Sequence, residues 1–123
     1  MTSDTRAQAA QPQATDTGIE WPDQATRDLF DAIVALPDRA AAERFFRDLC
    51  TLNELRDMAQ RWHVVQLLED GRHYLDISRE SGASTATITR IAQWLRHGTG
   101  GYREALARRP ESAERPYPVR GES

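Results

Sequence analysis

Tyr74 to Arg96 reads YLDISRESGASTATITRIAQWLR, and the spacing of its apolar residues decides the fold. Ile77 sits in a short amphipathic stretch, Gly82 interrupts it, and Ile88, Ile91, Ala92 and Leu95 then recur at helical intervals. Two helices joined by a glycine turn are the expected result. Counted from Tyr74 as the first position of a twenty-residue helix-turn-helix, Gly82 takes the ninth, where a positive φ is needed. Ile77, Ile88 and Ile91 take the buried fourth, fifteenth and eighteenth. Ser78 and Ser81 fit that register less well, because apolar residues are commoner at their positions.

Ser84 is placed to cap the second helix, and the residues opposite its apolar stripe suit a DNA groove. Arg90 reaches far enough for a bidentate contact to guanine or a phosphate clamp, and Gln93 can pair with an adenine edge. Thr85, Ala86 and Thr89 are small enough for close approach, and Arg96 adds a second cation. The run Ser84-Thr85-Ala86-Thr87 has no acid, so the positive end of the helix dipole is left for an anion. Between Ser81 and Arg103 there is no Asp or Glu, while Arg90, Arg96 and Arg103 lie in that window of a chain whose net charge is −3. A basic strip of this kind suits a phosphate backbone. The plainer alternative is an amphipathic core helix with a serine cap and a solvated polar face.

The rest of the chain reads as a small all-α domain. Met1 to about residue 20 is rich in Thr, Ala, Gln and Asp and is expected to be a disordered arm; residues 110–123 carry three prolines and mixed charge and are expected to be a disordered tail. The folded domain is set at 21–109, with its helix-turn-helix at 74–96. Pro22 suits the first turn of a helix whose Leu29, Phe30, Ile33 and Val34 form a stripe, closed by Pro37. Asp38 can cap a second helix that aligns Phe45, Phe46 and Leu49. Thr51-Leu52-Asn53-Glu54 has capping-box spacing and opens a third helix, or pair of helices, running to Gly71. A core of roughly 85 residues is small, so a homodimer that buries further apolar surface is expected.

Composition excludes several function classes. No apolar run is long enough for a membrane span and no secretory signal pattern is present, so a cytoplasmic protein without membrane partners is expected. Cys50 is alone and reads as a small core residue. His63, His73 and His97 lack ligand spacing, so no metal is expected, and Gly98, Gly100 and Gly101 read as a helix cap followed by a flexible turn. No nucleophile with a base, and no carboxylate dyad, stands at a plausible spacing, so an enzyme is not expected. Trp62 and Trp94 have helical spacing and read as core or dimer interface.

Thr51-Leu52-Asn53-Glu54-Leu55-Arg56, then Arg61, Leu67-Leu68 with Gly71, and Gly82 to Arg90 together resemble the Trp repressor superfamily. His97-Gly98-Thr99-Gly100-Gly101-Tyr102 resembles its YerC/YecD-like branch. The likeness runs from about Leu29 to Leu106. It implies about six helices, an intertwined homodimer, and a sequence-specific regulator of transcription, a repressor, that reads a near-palindromic site on double-stranded DNA. It places Thr85, Ala86, Thr87 and Thr89 toward the operator. It also matches the Trp repressor's corepressor ligands, one Thr and two Arg, to Thr51, Arg61 and Arg90. The surroundings depart from that pattern: Ile91 stands where the repressor has Gly, and Trp94 where it has Ser. Bulk in a preformed pocket excludes an indole, so L-tryptophan is not expected as a cofactor. The other class of function compatible with these residues is a dimeric protein-interaction module that has lost DNA binding.

Overall fold

The computed structural model describes residues 21–110, and the expected arm and tail fall outside them except for Pro110. Six helices and no strand occur among the described residues: α1 (Gln24–Val34), α2 (Arg39–Leu49), α3 (Leu52–Glu69), α4 (Tyr74–Ser81), α5 (Thr85–His97) and α6 (Gly101–Arg108). They form two compact units, divided within α3 between Asp57 and Met58.

In the first unit each helix starts on a side-chain cap. Asp23 accepts from the Thr26 amide at 2.8 Å and begins α1. Pro22 therefore precedes the cap instead of standing in the first helical turn, because the Asp23 carboxylate offers the orphan amides an acceptor that the proline ring cannot. Asp38 accepts from the Ala41 amide at 2.9 Å and begins α2. The capping box before α3 is reciprocal: the Thr51 amide donates to Glu54 Oε1 at 2.8 Å, and the Glu54 amide donates to Thr51 Oγ1 at 3.1 Å. The Trp21 and Phe30 rings meet edge-on at 6.0 Å, as do Phe45 and Phe46 at 5.7 Å. Neither α1 nor α2 contains a buried residue, and Phe30, Val34, Leu49 and Leu52 are exposed.

The second unit holds the core. Val64, Val65 and Leu67 of α3, Ile77 of α4, Ala83 of the turn, Ile88, Ile91 and Leu95 of α5, and Leu106 of α6 form one buried cluster, flanked by Trp62, Leu68, Tyr74 and Tyr102. Burying one such branched side chain contributes about 1.5–3 kcal/mol. α3 is one continuous helix of 18 residues, not a pair. It ends as expected at Gly71, whose φ is +81°: the Gly71 amide donates to Leu68 O and the Arg72 amide to Leu67 O, the paired bonds of a Schellman cap.

The last helix departs from the sequence reading. Gly101, expected in a flexible turn, is the first residue of α6, and Gly100 precedes it with φ +97°. Arg109 explains why this short helix holds its place, since its guanidinium donates to Asp70 Oδ1 at 3.0 Å and to Gln66 Oε1 at 3.4 Å, both near the end of α3. The Trp62 and Tyr102 rings also stack with centroids 6.4 Å apart.

Candidate nucleic-acid interface

α4 and α5 form the helix-turn-helix. α4 begins at His73 without a side-chain cap and carries Asp76 in its first turn; it ends at Gly82, whose φ of +82° lets the chain reverse at no steric cost. Ser78 and Ser81, the two residues that fit the register poorly, close the turn by hydrogen bonding. Ser78 Oγ donates to Ala83 O at 2.7 Å, Ser81 Oγ donates to Ile77 O at 2.6 Å, and the Ala83 amide donates back to Ser81 Oγ at 3.1 Å. Hydroxyls that bond locally to backbone replace the apolar contacts expected there.

Ser84 caps α5 by accepting from the Thr87 amide at 3.1 Å, and its hydroxyl donates to Thr87 Oγ1 at 3.1 Å. Ile88, Ile91, Ala92 and Leu95 are buried, as their spacing requires. Thr85, Ala86, Thr89, Arg90, Gln93 and Arg96 are exposed on the opposite side of the same helix, while Thr87 is half-buried. Seven of the eight residues read as DNA-facing therefore stand on α5 itself, and Ser84 stands at its cap. With 13 residues the helix is about 20 Å long, which suits a major groove.

Charge on this face is left unneutralised. Neither Arg90 nor Arg96 has an ion pair among the described residues, and α5 has no acid in its first turn. Arg103 differs: its guanidinium pairs with Glu69 Oε1 at 2.7 Å. It leaves the basic strip to which the sequence assigned it, because α6 brings it within reach of the end of α3. At the far end of α5, a Cβ on Gly98 would lie 2.5 Å from Trp94 O and 2.7 Å from Trp94 Cε3, so only glycine fits beside the indole.

Thr51, Arg61 and Arg90, the residues matched to an effector, have separate local settings. Thr51 is engaged in the α3 capping box, Arg61 is exposed in the middle of α3, and Arg90 is exposed on α5. Ile91, next to Arg90, is buried. Among the described residues no group of His, Cys, Asp and Glu could hold a metal ion, and no helix is long and apolar enough to cross a membrane.

A sequence model described as the Trp repressor protein matches residues 24–110. The uncharacterized protein YerC of Bacillus subtilis is 45% identical over 84 residues, covering 68% of this chain and 81% of that protein. The crystal structure of a TrpR-like protein from Eubacterium eligens superimposes with a TM-score of 0.67 at 42% identity, over 73% of this chain and 96% of that one. A second crystal structure, from Staphylococcus aureus, gives the same TM-score at 43% identity, over 70% of this chain and 86% of that one. The helical architecture, the capped turn and these likenesses agree, and the chain belongs to the Trp repressor family, in its YerC-like branch.

Proposed function

We propose that the domain spanning residues 21–109 is a DNA-binding regulator of transcription, a repressor, that works as a homodimer and reads a near-palindromic operator with the helix beginning at Ser84 and ending near Arg96. The observation that carries this reading is the outer face of α5, where Arg90 and Arg96 are exposed, with no ion pair among the described residues, beside Thr85, Ala86, Thr89 and Gln93. Unpaired arginines on a helix with a free N-terminal dipole are suited to phosphate and guanine, whereas a merely solvated face would gain from acids among them. The exposed apolar residues of α1 and α2 support the homodimer, since a second copy could cover them. Two recognition helices would then stand about 34 Å apart, one turn of duplex.

L-tryptophan is not the co-regulator in this reading. Buried Ile91 and the indole of Trp94 packed at Gly98 supply bulk on α5 where the family's tryptophan-binding members carry small residues. Thr51, Arg61 and Arg90 are left as polar groups for a different effector, or for none. Titration calorimetry with L-tryptophan should give no binding heat, and a micromolar isotherm would reverse this assignment.

Affinity for random duplex DNA against salt tests the main reading. Two arginines from each protomer of a dimer, if all four meet phosphate, give a log–log slope of roughly −3 to −4. Absence of binding at every salt concentration would instead favour the protein-interaction module.

A further inference from the structure

We infer that Gln60, in the middle of α3, is the positioning residue that sets where the recognition helix sits, an inference that rests on the reading of α5 as the DNA-reading element. Gln60 Nε2 donates to the Ser81 carbonyl at 3.1 Å, across 21 residues of sequence. That carbonyl is one of the last four of α4, which have no partner within their own helix. The same amide nitrogen lies against Gly82: a Cβ built there would be 3.6 Å from Gln60 Nε2. The hydrogen bonds of Ser78 and Ser81 join atoms within Ile77–Ala83 and fix the internal shape of the turn. They do not tie that turn to another helix. Gln60 does, from α3, at the last residue before the chain reverses into α5.

Apolar packing does not replace this contact. Ile88, Ile91 and Leu95 bury the inner side of α5, but non-directional contacts tolerate small rotations and slides, whereas a hydrogen bond to one carbonyl is sensitive to both. Base readout depends on side chains arriving within a few tenths of an ångström, while phosphate attraction falls off slowly with distance. Losing the Gln60 contact should therefore reduce discrimination between sequences and leave general affinity for DNA in place.

The variants Gln60→Met and Gln60→Glu test this. Both keep the length of the side chain, and neither can donate to a carbonyl at neutral pH. The full-length wild type selects preferred duplexes from a random pool, and each protein is then titrated with a selected duplex and with a random one at fixed salt. The expected result for both variants is about tenfold weaker binding to the selected duplex, as one hydrogen bond's worth of positioning implies. Binding of Gln60→Met to the random duplex should stay within about twofold of wild type. Amide spectra of the DNA-free proteins should show shifts at Gly82 and along α5, beyond those of Gln60's own neighbours in α3, with Leu106 of α6 unmoved. A wild type that discriminates, beside folded variants that discriminate equally well, overturns the role of Gln60 and leaves the DNA reading intact. A wild type that binds both duplexes alike, or neither, overturns the DNA reading and the inference with it. Should Gln60→Met fail to fold, Gln60→Glu decides, since it is isosteric with the native side chain.

Discussion

The two units of this chain use apolar residues in opposite ways. From Met58 onward, valines, leucines and isoleucines are enclosed: Val64, Val65, Leu67, Ile77 and Ile88 have no exposed surface. Before Asp57, α1 and α2 are as clearly amphipathic by spacing, yet they bury nothing fully, and Val34 is 80% exposed. A helical stripe in sequence therefore states which side wants cover, not whether one chain supplies it. The second unit closes its own core around the turn that carries α5. The first keeps an apolar surface of the kind found where a partner docks.

Substitution in the enclosed core should have the greatest consequence. Ile88→Ala removes a fully buried side chain from the inner face of α5 and should cost about 2–5 kcal/mol in denaturant unfolding, whereas Val34→Ala should cost under about 0.5 kcal/mol where no partner covers it. Equal costs at both positions would show that the contrast between the units does not exist in solution. The exposed stripe is addressed next by Phe30→Glu. If a second copy covers α1, a charge there should weaken association by about 2–4 kcal/mol and shift sedimentation from dimer to monomer. The melting temperature of the wild type should also rise with concentration, and a concentration-independent melt of a monomer would refute the homodimer.

On the outer side of the second unit, Arg90→Ala should lower affinity for a selected operator by about 1–3 kcal/mol and relax preference at one base position. Arg96→Ala should weaken all duplexes alike and reduce the salt slope by about one per protomer if it meets phosphate. Operator affinity unaltered in both variants would remove α5 as the reader.

What sequence reveals about each unit depends on how far its interactions reach along the chain. Gly71, Gly82, Asp38, Ser84 and the Thr51/Glu54 box were legible because each acts within about six residues. The inward set Ile77, Ile88, Ile91 and Leu95 was legible because helical period alone orders it. Gln60 with Ser81, Arg103 with Glu69 and Arg109 with Asp70 were not, since they span 21, 34 and 39 residues and nothing local marks their partners. Gly100 and Gly101, at the cap and first residue of α6, misled for a related reason. Glycine lowers helix propensity, but long-range anchoring of Arg109 and stacking of Tyr102 on Trp62 outweigh about 1 kcal/mol of preference. The residues proposed to read DNA stand together because all of them lie on α5 or at its cap, so helical period alone orders them.

Asp23 gives the mildest test, and it belongs to the first unit. Hydrogen bonds from Thr26, first from its side chain and then from its backbone amide, hold the Asp23 carboxyl below its ordinary value. A carboxylate depressed in the folded state contributes stability above its unfolded pKa and loses it as pH falls through the folded one. The cap on α1 should therefore weaken only below about pH 4, and the Thr26 amide resonance should report it with a midpoint under that of an unstructured Asp. Asn also serves well as an N-cap but carries no titrating group, so Asp23→Asn should keep α1 and flatten the titration. Because the carboxyl is fully exposed, solvent screening keeps this effect local. The melting temperature of the core from Met58 onward should not follow the Asp23 titration. A core transition that did follow it would mean that the open helices and the enclosed ones melt as one cooperative unit, coupled through the continuous α3.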